Sequence, residues 1–376
     1  MELEVNFEKL KESFESLPDP RVVGRTAHKL VEILFLTLCA MLCGMEDWEA
    51  IEDWGNEKLG WLRKFIELEN GVPSHDTISR VFAALDCVVF QECFINWMVS
   101  LCPTLAGQIV AIDGKAMRGS HHRRLGKSAI HLVSAFACGH GVTLGQIKTD
   151  AKSNEITAIP ELIDALDLKG SIVTIDAMGC QKEIATAIVN KEADYVFGLK
   201  GNQGTLHEQV QEFFATAAQY DYKGLMVKPD ETCEKGHGRI ETRRCIALTP
   251  AYLENVTAWT GLRSIVMVES TREMGDKRTV EKRFYISSLE PDSTQIAQAI
   301  RSHWAIENQL HWCLDVTFNE DLSRIRRDYA PENLNIVKKI AMNLLRIHPL
   351  KRSLPKKRLK ACLNDGYLAE ILGLQI

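Results

Sequence analysis

Apolar positions in the first hundred residues recur at helical spacing. Lys29 to Cys43 is apolar almost all round, which predicts a helix at the centre of a bundle. Asp47 to Glu57 sets Trp48, Ile51 and Trp54 on one side, and Trp61 to Leu68 follows. Gly71-Val72-Pro73-Ser74 then breaks the chain and offers Ser74 as the N-cap of a helix from His75 to Leu85. Near residue 105 the pattern changes. Gln108 to Ile112 reads as a strand ending at Asp113-Gly114, and His131 to Ala137 and Val142 to Thr149 as a hairpin across Gly139-His140-Gly141. Ile156 to Leu168 is helical, with Pro160 near a first turn. Ser171 to Ile175 is a buried strand ending at Asp176, followed by a helix from Gln181 to Glu192 and a strand from Asp194 to Leu199. Residues 202–217 form an amphipathic helix. From about 225 to 290 the chain is β-rich and charged, with strands at Arg239 to Ala247, Leu262 to Glu269 and Thr279 to Ser287. Ser293 to Phe318 reads as one long helix, and the last 50 residues as helical and basic. Three meandering strands, helix, strand, helix, strand predict a mixed α/β layer behind an all-helical front.

A chain of 376 residues allows two or three domains. Its net charge of −5 excludes a uniformly basic nucleic-acid coat or a polybasic membrane binder, but the charge is segregated. Residues 1–100 hold 9 Lys/Arg against 18 Asp/Glu, whereas residues 321–376 hold 12 against 5. The basic end is either a partner surface or a set of solvated helix ends. Eleven cysteines, an odd number without any CxxC, read as reduced thiols of a cytosolic protein. The most apolar run, Ile33 to Met45, has 13 residues, short of the roughly 20 that span a bilayer. Met1-Glu2-Leu3-Glu4 has no basic leader character. The expectation is a cytoplasmic protein with no membrane partner.

Two aspartates, Asp113 and Asp176, leave apolar strands of the same local pattern, IVAID and IVTID. Carboxylates at strand exits project into the crevice where α/β sheets hold ligands. On neighbouring strands, about 5 Å apart, they can share a hard cation such as Mg2+ or Mn2+. As structural residues, they would serve as turn formers or helix caps. Glu307, midway along the long helix, is the candidate third carboxylate, with His303 and His311 four residues to either side on the same face. A zinc site of His303, Glu307 and His311 is the alternative, although the HExxH spacing is absent. The helix after Gly71-Val72-Pro73 is open to two readings, a DNA-reading helix-turn-helix or an ordinary bundle helix.

On this frame the chain resembles a DDE transposase with a ribonuclease H-like fold. Nearly all of it is similar to the H-repeat-associated transposases of bacterial insertion sequences. The matching stretches are Ala111 to Arg118, Gly145 to Pro160, Thr174 to Gln181, Leu199 to Gln203, Gly236 to Glu241, Arg283 to Ser288, His303 to Trp312 and Arg324 to Arg327. Glu49 to Asp53 and Pro73 to Thr77 resemble the family's associated N-terminal domain.

The resemblance implies metal-dependent DNA strand cleavage and strand transfer at insertion-sequence ends. Asp113, Asp176 and Glu307 are the implied catalytic residues and the ligands of two Mg2+ or Mn2+ ions. The implied partners are double-stranded DNA, as terminal inverted repeats and target, and a second copy in a synaptic homodimer, in a bacterial cytoplasm at the nucleoid. The rival functions are a non-cleaving, repurposed DNA-binding protein and a structure-specific nuclease on the same fold. Wider DDE groups place Tyr, Arg and Lys around the Glu where this chain has Ile300, His303 and Leu314, so His303 and the adjacent Arg301 are the residues at hand to replace them. Lys115, Arg118, Lys200, Asn202, Gln203, Arg326 and Arg327 are further candidates to grip DNA, with His121 to Arg124 extending the loop after Asp113 and Lys351 to Lys360 adding salt-sensitive affinity. The implied division is a helical domain over 1–100, a catalytic domain over 105–345 and a basic tail over 346–376. From Asp176 to Glu307 is 131 residues, too long for one strand and helix, so a β-rich insertion over about 220–290 is expected.

Overall fold

The computed structural model describes residues 3–22, 24, 26–121, 128–149, 155–236, 238–254 and 256–374. Six helices come first: α1 (Phe7–Glu15), α2 (Leu30–Leu42), α3 (Trp48–Glu57), α4 (Leu59–Leu62), α5 (His75–Ala84) and α6 (Cys87–Leu101). Asn6, Asp47, Ser74 and Asp86 each accept a backbone N–H at the start of α1, α3, α5 and α6. Short polar side chains ahead of apolar runs therefore set where these helices begin. On α5, the exposed Arg80 bonds back to Asp76 O and Thr77 Oγ1 of its own helix.

The rest is built on one nine-stranded sheet. Its elements are β1 (Ile109–Met117), β2 (Ile130–Ala137), β3 (Val142–Lys148), α7 (Glu155–Ala165), β4 (Ile172–Ile175), α8 (Lys182–Asn190), β5 (Asp194–Leu199), α9 (Gly204–Gln219), β6 (Asp230–Gly236), β7 (Arg239–Leu248), β8 (Ser264–Met274) and β9 (Lys277–Ser287). The strand order is β3-β2-β1-β4-β5-β9-β8-β7-β6. β1, β4 and β5 are parallel, and all other pairs are antiparallel. Pro160 lies inside α7, not at its first turn, because the helix already runs from Glu155.

The stretch read as an insertion is no separate layer. β9 pairs with β5, so β6 to β9 lengthen the same sheet from its β5 side. β6, with the sequence DETCEKG, carries no strand signal; it forms by pairing with β7, from Asp230 opposite Cys245 to Gly236 opposite Arg239. It is the sheet's outer edge, where charged side chains discourage addition of another strand.

The predicted long helix from Ser293 to Phe318 is interrupted. α10 (Ser293–Ala305) passes into a π-helical turn over Ile306–His311 and then α11 (Trp312–Val316). α10 crosses β1, β4 and β5, and its Ile296 and Ala299 pack with Ile172, Val196 and Val266 of the sheet.

α12 (Ala330–Ile347) lies against α2, α5, α6 and β3, and every residue from Ala330 to Leu345 is buried. Many of its polar groups are bonded to neighbouring elements, although Glu332 Oε2, Asn333 Oδ1 and Asn335 Oδ1 are buried without a partner. Asn333 Nδ2 donates to Phe82 O and Leu85 O, Asn343 Nδ2 to Thr143 O, Lys338 Nζ to Phe318 O and Lys339 Nζ to Ser134 Oγ. α13 (Leu354–Leu363) and α14 (Asp365–Leu372) complete the described chain. Lys338, Lys339, Lys357 and Arg358 are all buried. Part of the basic character at this end is therefore interior, and its helices are not a solvated tail. Among the described residues no helix is long and apolar enough to cross a membrane.

Candidate active site

β1 and β4 run parallel with Ile112 opposite Ile175. The next residue on each strand, Asp113 and Asp176, thus emerges at the same level on neighbouring strands about 5 Å apart. The π-turn that ends α10 brings Glu307 to the same place. All three carboxylates line one cleft of about 510 Å³, together with Lys200, Arg283 and His303.

The three are held differently. Asp176 Oδ1 accepts the backbone N–H of Met178 at 2.9 Å and of Gly179 at 3.4 Å, a turn that orients its carboxyl. The Asp113 side chain is 15% exposed, and that of Glu307 is 53% exposed. Burial pushes the Asp113 carboxyl up to about 8; the Gly114 backbone N–H opposes this, and the charges of Glu307, Glu155 and Asp176 add to it. A cation bound among these groups would reverse that penalty, which is the sense in which the donor set fits a divalent ion.

Asp113, Glu307 and His311 form the tightest group, with one possible ligand atom from each within 4.8 Å of the others. His311 Nδ1 is 3.6 Å from Asp113 Oδ2 and 3.7 Å from Glu307 Oε2. Asp176 lines the cleft but stands outside this set. The zinc trio of the sequence reading is not assembled, because His303 Nδ1 instead meets Thr174 Oγ1 of β4 at 3.0 Å. Burial holds the His311 imidazole down to about 3, helped by the charges of Lys339 and Lys115.

Two neighbours of the site escape sequence reasoning. His131 Nε2 and Glu155 Oε1 are 2.7 Å apart, and a Cβ on Gly114 would sit 2.0 Å from that Glu155 oxygen. Glycine after Asp113 is thus what lets the pair lie against β1. The only signal in the sequence is that Gly145 to Pro160, which contains Glu155, lies in a stretch of family resemblance.

Several candidate DNA contacts are engaged internally. Lys115 Nζ lies 2.7 Å from Asp315, 3.1 Å from Glu320 and 3.8 Å from Asp321, so it struts β1 against the segment after the π-turn. Asn202 Nδ2 donates to Ala177 O at 2.6 Å and Gln203 Nε2 to Cys180 O at 2.9 Å; these amides buttress the loop that carries Asp176. Arg326 Nε donates to Gly119 O at 2.9 Å. Arg301 pairs with Glu234 of β6. Arg118 and Arg327 are exposed, each with one long ion pair, to Asp321 and Asp328. Lys200 is exposed in the cleft. His122, Arg123 and Arg124 lie outside the described residues.

Residues 105–344 match the family model described as "Transposase DDE domain", and residues 11–98 match one described as "DDE_Tnp_1-associated". "Putative transposase YncI" of Escherichia coli O157:H7 is 46% identical over 98% of this chain and 95% of its own length. "H repeat-associated putative transposase YhhI" of Escherichia coli (strain K12) is 42% identical over 98% of this chain and 99% of its own. The piggyBac transposase in a synaptic complex with hairpin DNA aligns with 98% of this chain and 81% of its own at a TM-score of 0.47 and 10% identity. With a family model spanning most of its length and relatives matched nearly end to end, the chain belongs to the DDE transposase family.

Proposed function

We propose that this chain cleaves DNA strands at insertion-sequence ends and transfers them to a target, with Asp113, Asp176 and Glu307 as catalytic carboxylates and Mg2+ or Mn2+, two ions, as cofactor. The observation that carries the reading is the convergence of these three side chains, from two adjacent parallel strands and the helix crossing them, in one cleft. Strand order 3-2-1-4-5 with β2 reversed supports a ribonuclease H-like core within the longer sheet. We assign 105–345 to catalysis, 1–100 to an associated helical domain and 346–376 to a C-terminal segment whose exposed Lys351, Arg352 and Lys356 remain available to DNA.

Ions held there would supply Lewis-acid activation of the attacking oxygen and neutralise charge on the leaving one. The chain's own groups do the rest. Asp113 is fixed in β1 between its neighbours, Asp176 is oriented by the Met178 and Gly179 N–H groups, and Glu307 is the most exposed of the three. Thr174 holds the His303 ring at the cleft wall. An adjoining groove of about 500 Å³ on β6 to β9 and α10 shares Arg283 and Trp304 with the acidic cleft; Arg239, Arg243, Arg272, Arg283 and Arg301 line it, each paired with Glu234, Glu241 or Glu281, so that DNA phosphates would take the place of these glutamates. That continuity supports a path for the phosphate backbone across the extended sheet into the carboxylates. Two copies would pair two ends.

The deciding experiment is a cleavage assay on duplexes carrying the element's flanking ends, with Mg2+. Asp176→Asn and Glu307→Gln are each expected to lose activity by on the order of a thousandfold or more. Full activity in either variant sinks the assignment, and end binding without any nicking by the wild type would identify a non-cleaving derivative. Lys200→Ala should lower the slope of log affinity against log salt by about 1, measured by fluorescence anisotropy with duplex DNA. An unchanged slope would remove Lys200 from the backbone contacts.

A further inference from the structure

His311 bears on the same site in a way the three carboxylates do not account for. It closes the π-turn that begins beside Glu307, and it is 6% exposed. Its Nε2 is buried without a hydrogen-bond partner, so no bond on that nitrogen fixes how the ring is aimed. Its Nδ1 faces Asp113 Oδ2 at 3.6 Å and Glu307 Oε2 at 3.7 Å. Those separations are too long for hydrogen bonds, so pairing with the carboxylates does not explain how the ring is aimed. Each is close to what two donors subtend around a cation lying roughly 2.0–2.2 Å from both. π-Turns inside α-helices occur frequently at functional sites; here the turn joins the helical carboxylate and the imidazole in one rigid unit facing β1.

We propose that His311 is a nitrogen ligand, through Nδ1, of the divalent ion held by Asp113 and Glu307. The proposal rests on the metal-site reading above and adds to it a fourth protein ligand and a preference. Mg2+ favours an all-oxygen environment, whereas imidazole suits first-row ions such as Mn2+ and Co2+. This position should therefore discriminate in favour of Mn2+ more strongly than carboxylates alone would. Asp176, outside the close group, is left to complete the side of the cleft away from the ring.

The test uses the full chain, free of DNA, with Mn2+ as the only added ion. Pulsed electron paramagnetic resonance reads whether nitrogen is bonded to the ion, and selective 15N-histidine labelling identifies imidazole as its source. Wild type is expected to bind Mn2+ and show the histidine coupling. His311→Gln should lose the coupling, bind Mn2+ about 10–100-fold more weakly, the range that even groups outside the ligand set command, and show a smaller Mn2+ over Mg2+ preference in competition. Its metal-free unfolding transition checks that it folds; should it not fold, histidine coupling that persists in both His303→Gln and His131→Gln, the other imidazoles at the site, still assigns the nitrogen to His311, and coupling lost in either one overturns the assignment. Bound Mn2+ without histidine coupling, or a coupling that survives His311→Gln, overturns the role of His311 while leaving the carboxylate site standing. No bound Mn2+, or binding undiminished in Asp113→Asn, overturns the metal site and His311 with it.

Discussion

Asparagine at position 113 should abolish strand cleavage and, in the same protein, raise stability in the absence of metal. The first effect follows from removing the most central carboxylate of the cleft. The second follows from the cost of keeping that carboxylate charged without a counterion. Burial raises the Asp113 carboxyl to about 8 in the folded chain, from near 3.9 in an unfolded one. Between those values the folded state binds the proton more tightly than the unfolded state, so stability falls as pH rises from about 4 to about 8. Below that window both states are protonated and nothing is lost; above it the loss is complete, with a ceiling of about 6 kcal/mol. Asparagine carries no charge and escapes this dependence. Urea unfolding of metal-free wild type and Asp113→Asn at a series of pH values should show the two curves diverging toward pH 8, with the variant more stable. Added Mn2+ should close the gap from the wild-type side. Parallel curves across the window, or cleavage surviving the substitution, would contradict the arrangement.

Arg358→Ala is expected to cost about 3–5 kcal/mol of folding stability, as removal of one partner from a buried ion pair does. Arg358 belongs to the run that reads from the sequence as a basic DNA-gripping tail, yet its guanidinium is inside. Nη1 contacts Glu46 at 2.6 Å and also bonds Thr317 O, Nη2 donates to Met41 O at 2.9 Å, and the Phe318 ring lies 4.3 Å below. It thereby satisfies a carbonyl in the last turn of α2 and ties α13 to the chain end of α11. Lysine should not rescue, since one ammonium cannot reach all three acceptors in the plane a guanidinium offers. Denaturant titration gives the stability loss. The salt dependence of DNA binding should stay at the wild-type slope in whatever fraction remains folded; a lowered slope would mean that Arg358 faces the phosphates after all.

How much of this was legible depends on whether a residue's role is set by its own segment. Asp113 and Asp176 could be found because a carboxylate ending an apolar strand is a local pattern, and Glu307 because helix and family resemblance coincide. His311 was visible only in a zinc trio with the wrong partner, since a helical wheel cannot anticipate the π-turn or the turning of His303 toward Thr174. Lys115 looked like a phosphate grip because Asp315, Glu320 and Asp321 are some two hundred residues away in the chain. β6 was invisible because its strand character comes from β7. Glu155 and His131 meet only through the sheet, and no spacing rule connects them to Gly114.

Helix α12 has a further consequence. One flank of it serves as interior for the opening helices and another for β3 and the sheet behind the carboxylates. The two family-matched stretches are therefore packed together through this one helix. Closely packed interiors transmit strain, so a shift of the opening helices would be felt at β3, two strands from Asp113. Truncations that remove α12 would uncover both at once.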